Sequence, residues 1–328
     1  MRKKLTLKGL WKSLKLAATG FMDDKILKLS AALAYYTVFS LGPMFIVILF
    51  ITDITLGKEA IEGRVYGQIA GLVGSEAAVQ IQEMIRNSAL SNKGPLAAII
   101  GGITLLIGAT GVFAEIQDSI NQIWGLKAKT KKGWLKMLMN RLVSFSIVVS
   151  LGFLLLVSLV INGLLEGMMD RLKEMFPNLA VVVVYIINII ITFGVTTLLF
   201  GIIFKVLPDA KIKWRDVIIG SMATAILFMI GKFAITFYIG SSDIGSTYGA
   251  AGSLVVLLVW VYYSSLILYF GAEFTKAYAA NYGSRILPNN YAVWIKQVEV
   301  EEENGSLKQM ENKKHTEDKE TPDNVHVK

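Results

Sequence analysis

The chain has 328 residues, 54% hydrophobic and 18% charged, with a formal net charge of +8. A soluble domain carries about 25% charged residues, and 14 of the charges here crowd into residues 299–328. This arithmetic argues against a soluble globular enzyme and against collagen-like, disordered and disulfide-stapled classes. With no cysteine, and only His315 and His326 in the charged tail, disulfides, thiolate metal sites and thiol nucleophiles are excluded.

In chain order, residues 1–28 form a basic amphipathic segment. Leu7, Leu10, Trp11, Leu14, Ala18 and Phe21 fall on one helical face, and Lys4, Lys8, Lys12 and Lys15 on the other. The pattern predicts a helix in the plane of an anionic inner leaflet; a plain positive-inside anchor is equally compatible.

Residues 29–280 read as a membrane domain. A bilayer core about 30 Å thick needs roughly 20 mostly apolar residues per spanning helix. Six runs qualify: 29–52, 94–114, 142–165, 178–204, 217–240 and 250–273, with Lys232 the one charge inside the fifth. The runs do not alternate in hydrophobicity, which excludes a barrel. The expected fold is therefore all-α: a polytopic bundle of six transmembrane helices with added interfacial amphipathic helices. Within 56–93, Ile61, Val65, Ile69 and Leu72, then Ala78, Ile81, Ile85 and Ala89, predict two short external helices split at Gly74-Ser75. Residues 281–328 are expected as a largely disordered cytoplasmic tail.

Lysine and arginine set the orientation. The first 28 residues hold eight, the 126–141 connection six and the 205–216 connection four; the opposite connections hold four, two and none. Positive charge stays inside, so both termini are expected in the cytoplasm.

Four strings carry a family resemblance: LSAALAYYTVFSLGPM at 29–44, GATGVFAEIQDSINQIWGL at 108–126, KVLPDAKIKWRDVIIGS at 205–221, and STYGAAGSLVVLLVWVYYSSLILYFGAEFTKAYA at 246–279. Together they resemble the YihY/virulence factor BrkB family of bacterial inner-membrane proteins, over roughly residues 10–285. The resemblance implies six spans and a bacterial plasma-membrane location. Members long carried the label ribonuclease BN, generally regarded as mistaken. Some relatives are linked to resistance to host defences and others to lipid movement. The resemblance carries over no catalytic residue.

The residues themselves argue against catalysis. A zinc-type nuclease needs a His/Asp cluster, and a metal-free one usually needs histidine near neutral pH. The membrane body has no histidine, and Asp23-Asp24 reads as a cap or headgroup-zone pair. HExxH, G-x-S-x-G and P-loop motifs are absent. A Ser/Lys dyad around Lys232 is the remaining conceivable pairing. We expect no enzyme activity, no cofactor and no metal.

Polar groups inside a membrane point to function. Glu115, Asp118 and Glu273 fall near inner helix ends, with Lys28, Arg141, Lys205 or Arg215 as possible partners. They form either structural ion pairs or an inner gate or ion-coupling site. Lys232 lies about 24 Å beyond Asp216, in the outer half, at a depth like that of Asn188. It either snorkels or lines a cavity open to the outside. Pro43 is expected to break the first span. Gly245 and Gly249 are expected to form a kink or close-packed turn at the outer mouth of the last two. Tyr262 and Tyr263, with Trp260, Ser264, Ser265 and Tyr269, should face the bundle interior.

The expected function is non-enzymatic transport or hand-over of an anionic amphiphile, a lipid or lipid-linked molecule. A membrane scaffold recruiting an envelope partner protein is the alternative, and a membrane enzyme acting on lipid or RNA the third. Expected partners are membrane lipids and the anionic inner leaflet, not nucleic acid, since the basic residues are scattered over separate flanking segments. A reporter active only outside should work when inserted near Gly74 and fail near Gly133 or after Tyr282; activity near Gly133 would reverse the orientation.

Overall fold

A computed structural model describes residues 6–55, 79, 108, 111–129, 177–242, 248, 251–283 and 285–295. Helix α1 (Leu7–Asp23) starts at Thr6, whose side chain accepts from the Gly9 amide. Lys25, in a left-handed conformation (φ 53°), turns the chain into α2 (Ile26–Thr55). Helix α3, over 111–123, ends at Gly125 (φ 68°). A side chain is strained at that dihedral, so glycine suits this helix stop. Strand β1 (Leu126–Ala128) follows. Helix α4 (Pro177–Val206) begins on a proline, the residue whose missing N–H costs least at a first turn. Next come β2 (Ala210–Lys211), α5 (Trp214–Ser241) and α6 (Gly252–Asn281). Strands β3 (Leu287–Pro288) and β4 (Ala292–Trp294) close the described chain.

Among the described residues, three stretches are long and apolar enough to cross a membrane: Ile186–Val206, Trp214–Ser241 and Leu254–Asn281. They correspond to the expected fourth, fifth and sixth spans, the last reaching eight residues beyond its expected end at 273. In the first span, Ile26–Ser40 is described as a shorter apolar helix. The expected spans 94–114 and 142–165 lie almost wholly outside the described residues, as do the two external helices. Pro43 does not break α2, which continues through it to Thr55. Proline removes one ladder hydrogen bond, a loss that membrane helices tolerate when neighbouring groups satisfy the freed carbonyl.

Helix α6 organises the bundle, packing against α1, α2 and α5, while α4 packs on α5. Lipid supplies no hydrophobic drive between helices, so close approach depends on small residues. The α5–α6 contact is reciprocal. A Cβ at Gly220 would fall within the Thr275 side chain, and one at Gly271 within that of Thr224. Each threonine also donates to the carbonyl four residues back, Thr224 to Gly220 at 2.8 Å and Thr275 to Gly271 at 2.7 Å. Their hydroxyls are thus satisfied within their own helices while the same side chains, hydroxyl oxygen nearest, fill the partner's notches. Away from this contact, α5 exposes a stripe of Ile218, Met222, Ile226, Ile230, Phe233 and Phe237, a surface suited to hydrocarbon.

The ends of α3, α4 and α6 meet the starts of α2 and α5 at one end of the bundle, where α1 also lies. Two antiparallel strand pairs sit there. Leu126, Lys127 and Ala128 pair with Trp294, Val293 and Ala292; Ala210 and Lys211 pair with Pro288 and Leu287. The chain therefore stays ordered past residue 281, in a segment expected as tail. Short runs rich in Leu, Val and Trp find strand partners in the two connections above them. The compact unit runs through Trp294.

Gly271→Leu should lower stability by about 1–3 kcal/mol through overpacking. Met222→Leu, on the exposed stripe, should leave it unchanged. Thermal melting of both variants in detergent micelles checks this; equal melting would argue against the close α5–α6 contact.

Candidate functional site

Helix α1 does not simply float on a leaflet: it is docked on α6. Gly9, Ser13, Ala17 and Gly20 recur every three or four residues and make one face. Ser13 and Ala17 are fully buried. A Cβ at Gly20 would come within 2.6–2.8 Å of the Glu273 carboxyl. Asn281 donates to Ser13 at 3.0 Å, and the Tyr282 and Thr6 hydroxyls lie 3.1 Å apart. Leu10 and Leu14 pack on Phe274 and Tyr278. Part of the expected apolar face is left outward: Trp11 is 70% exposed and Ala18 is exposed too, as is Met22 beside that face. The expected stripe is thus split between a protein-facing half and an outward half bordered by Lys8, Lys12 and Lys15.

Glu273 is 2% exposed. Its carboxylate and that of Asp24 gather around one ammonium, Lys276 Nζ, at 3.4 and 3.2 Å. The expected partners are Lys28, Arg141, Lys205 or Arg215; Arg141 lies outside the described residues. Instead Lys205 donates to the Ile212 carbonyl and sits over the Trp214 ring, 5.6 Å from its centroid. Its short stem distance to that turn explains the choice, since α4 ends only eight residues before Trp214.

Two further buried carboxylates were not anticipated. Asp209, in the α4–α5 connection, accepts from Gln117 at 3.0 Å and from Asn121 at 2.9 Å, and its own amide donates to Asn121 at 2.8 Å. The Asn289 amide donates to the Asp209 carbonyl at 2.9 Å. One residue therefore ties α3, the α4–α5 connection and the β3–β4 segment together. Asp216, in the first turn of α5, is buried against Gly283, where a Cβ would meet its carboxylate at 2.5 Å. Trp124 adds a fourth tie, donating from Nε1 to the Ala272 carbonyl at 3.1 Å.

Glu115 and Asp118 lie on α3, one turn above this layer. Glu115 is half-buried and accepts from Ser119 at 3.3 Å; Asp118 is exposed. The structure thus sets Glu273 with Asp24 and Lys276, and Glu115 with Ser119. Asn188 is exposed on α4 and accepts from Thr192 at 3.2 Å. Lys232, Tyr262 and Tyr263 are half-buried. Tyr263 packs where a Cβ on Gly231 would come within 3.0 Å of its ring, so it fills a notch on α5. Gly245 and Gly249 lie outside the described residues. Among the described residues, no three His, Asp or Glu side chains gather as a metal site.

The outer surface of the α1 end is basic. Every described Lys and Arg except Lys232 belongs to it, and eleven of them are exposed: Lys8, Lys12, Lys15, Lys25 and Lys28 around α1, and Lys127, Lys129, Lys211, Lys213, Arg215 and Arg285 around the strands. Asp209, Asp216 and Glu273 are turned inward. Trp11, Trp214 and Trp294 are exposed on the same rim. Tryptophan beside lysine is the composition of a membrane–water boundary.

The family model for virulence factor BrkB matches residues 17–292. The chain belongs to this family. It is 27% identical over 266 residues to a UPF0761 membrane protein of Stenotrophomonas maltophilia, covering 79% of this chain and 59% of that protein. It is 29% identical over 178 residues to one of Tolumonas auensis, covering 54% and 56%, and 24% identical over 255 residues to one of Alteromonas mediterranea, covering 77% and 83%. The chain thus spans under three fifths of the length of the first two. No solved structure matches it at a significant level. With its apolar helices, this BrkB-family chain is an integral membrane protein.

Asp209→Ala should loosen the strand-bearing cap, because hydrogen bonds to a charged group contribute about 1.5–3 kcal/mol each. Trypsin should then cut at Lys127, Lys129 or Arg285 several-fold faster than in the parent protein. An unchanged cleavage rate would show that Asp209 does not hold the cap.

Proposed function

We propose that this protein spans the bacterial plasma membrane six times with both termini inside, and moves or hands over an anionic amphiphile, a lipid or lipid-linked molecule, without covalent chemistry. The observation that carries the reading is the sorting of charge at the α1 end. Cations and tryptophans are exposed there while three carboxylates are buried. Near an anionic leaflet each such cation contributes about 1 kcal/mol of attraction. A plain anchor does not require the acids of the same layer to be hidden. The partly polar face of α6 and the half-buried Lys232 give an amphiphile groups to meet beyond that surface. Transfer needs no bond to be made or broken, which accords with a body lacking histidine and cysteine.

The test is reconstitution in vesicles with a fluorescent phosphatidylglycerol and, separately, a fluorescent phosphatidylcholine. The protein should speed transbilayer movement of the anionic lipid over protein-free vesicles, and favour it over the zwitterionic one. Replacing Lys8, Lys12 and Lys15 together with Gln should reduce that preference at equal reconstitution. Lys232→Met should reconstitute normally and slow the movement. No acceleration by the wild-type protein would reject the reading.

A further inference from the structure

The docked α1 covers a carboxyl group whose charge is not balanced. Lys276 Nζ lies 3.4 Å from the Glu273 carboxylate and 3.2 Å from that of Asp24, so two acids face one ammonium. The elements packed around Glu273 bring no further charge to it. Helix α1 lays Gly20 on it, and α3 brings Trp124 to the adjoining Ala272 carbonyl. Helix α5 meets the flanking residues of α6 through Gly220 and Thr224, and α2 adds Ile26 to the apolar cluster that contains Ala272. The three members of the cluster differ in their access to water. The side chains of Lys276 and Asp24 are 40% and 24% exposed, that of Glu273 only 3%. A carboxylate kept from water without full compensation is costly, and such a group takes a proton instead.

The strand of chain that holds α1 in place carries a second observation. Helix α1 packs mainly on α6 and little on α2. It joins α2 through Lys25, the one non-glycine residue with positive φ among the described residues. A side chain adopts that left-handed conformation at a cost. The cover over Glu273 is thus a helix tethered at a strained hinge, and Gly20 is the part of it that closes on the carboxyl.

We propose that α1 is a proton-operated latch, docked on α6 while Glu273 carries a proton and released about Lys25 when that proton leaves. Loss of the proton adds a negative charge beneath Gly20, and water reaches it only if α1 moves away. Docking therefore weakens as pH rises, by up to about tenfold per pH unit for a single proton. The Ser13–Asn281 hydrogen bond joins groups that do not titrate, so it contributes no pH dependence. The latch does not rest on the lipid-movement reading, since it concerns where α1 lies and not what the protein carries.

The experiment is a distance measurement by double electron–electron resonance on the full chain in nanodiscs of zwitterionic lipid. The chain has no cysteine, so Lys12→Cys on the exposed side of α1 and Lys211→Cys on β2 give two unique points for spin labels. The body also has no histidine, so no side chain with an ordinary pKa titrates there between about pH 5.5 and about pH 9. A single distance is expected at the lower pH. At the higher pH a second, longer distance should grow in population by about tenfold or more. Glu273→Gln should keep the single distance at both. Asp24→Asn leaves one acid to one ammonium and should also stay docked at both; as Asp24 is partly exposed, this variant keeps the test open if Glu273→Gln misfolds. The same distances at both pH values in the wild-type chain, or a wild-type pH response in Asp24→Asn, would overturn the latch.

Discussion

The architecture depends on how closely other helices can approach α6. Lipid is as apolar as a leucine side chain, so helix association in a membrane rests on contact distance and on polar groups placed between helices. Gly220 and Gly271 let α5 and α6 interlock through Thr275 and Thr224. Gly20 lets the backbone of α1 lie against the Glu273 carboxyl. These approaches converge on the last third of α6. The Trp124 tie and the Asp24–Lys276 pair are attached to the same stretch.

Close approach creates an electrostatic problem that the same residues solve. Three carboxylates are buried in one layer, and each is handled differently. Asp209 is held by two side-chain amide donors, a neutral solution that needs no counter-ion. Glu273 and Asp24 share a single lysine. Asp216 sits in the first turn of α5, where the helix dipole favours negative charge. Removing these acids from the surface leaves the surrounding lysines unneutralised. The basic character of this end is therefore a product of burial as much as of composition.

Much of this was legible in the sequence, and the failures have physical reasons. Long uncharged runs point directly to the three spans found among the described residues, because 20 apolar residues have few other uses. The string GAEFTKAYA marked Glu273 as a helix-end acid. Its partner Lys276 is one turn away on the same helix, a spacing that hydropathy does not single out from the basic residues of neighbouring helices. Asp209 was missed because an acid after Leu-Pro in a short connection looks solvated; the signal lay in Gln117 and Asn121, two amides four residues apart on one face of α3. The docking face of α1 was missed for a related reason. Gly9, Ser13, Ala17 and Gly20 contribute little to a hydrophobic stripe, yet their smallness is what a docked membrane-boundary helix requires. Pro43 lies within α2 without ending it, because a membrane helix tolerates the one ladder hydrogen bond that proline removes.

The docking of α1 changes what its lysines can do. A helix lying free in the interface would report only that an anionic surface is near. Here Lys8, Lys12 and Lys15 project from a helix whose opposite side meets α6 through Ser13, Ala17 and Gly20. A headgroup drawn to those lysines would pull on a rigid contact. Any tilt or slide of α1 would shift Gly20 against Glu273, and with it the carboxylate pair around Lys276. The path from the exposed lysines of α1 to the buried carboxylate thus runs through close contacts, Gly20 against Glu273 and Ser13 against Asn281, and packed contacts of this kind shift between discrete arrangements rather than deforming continuously.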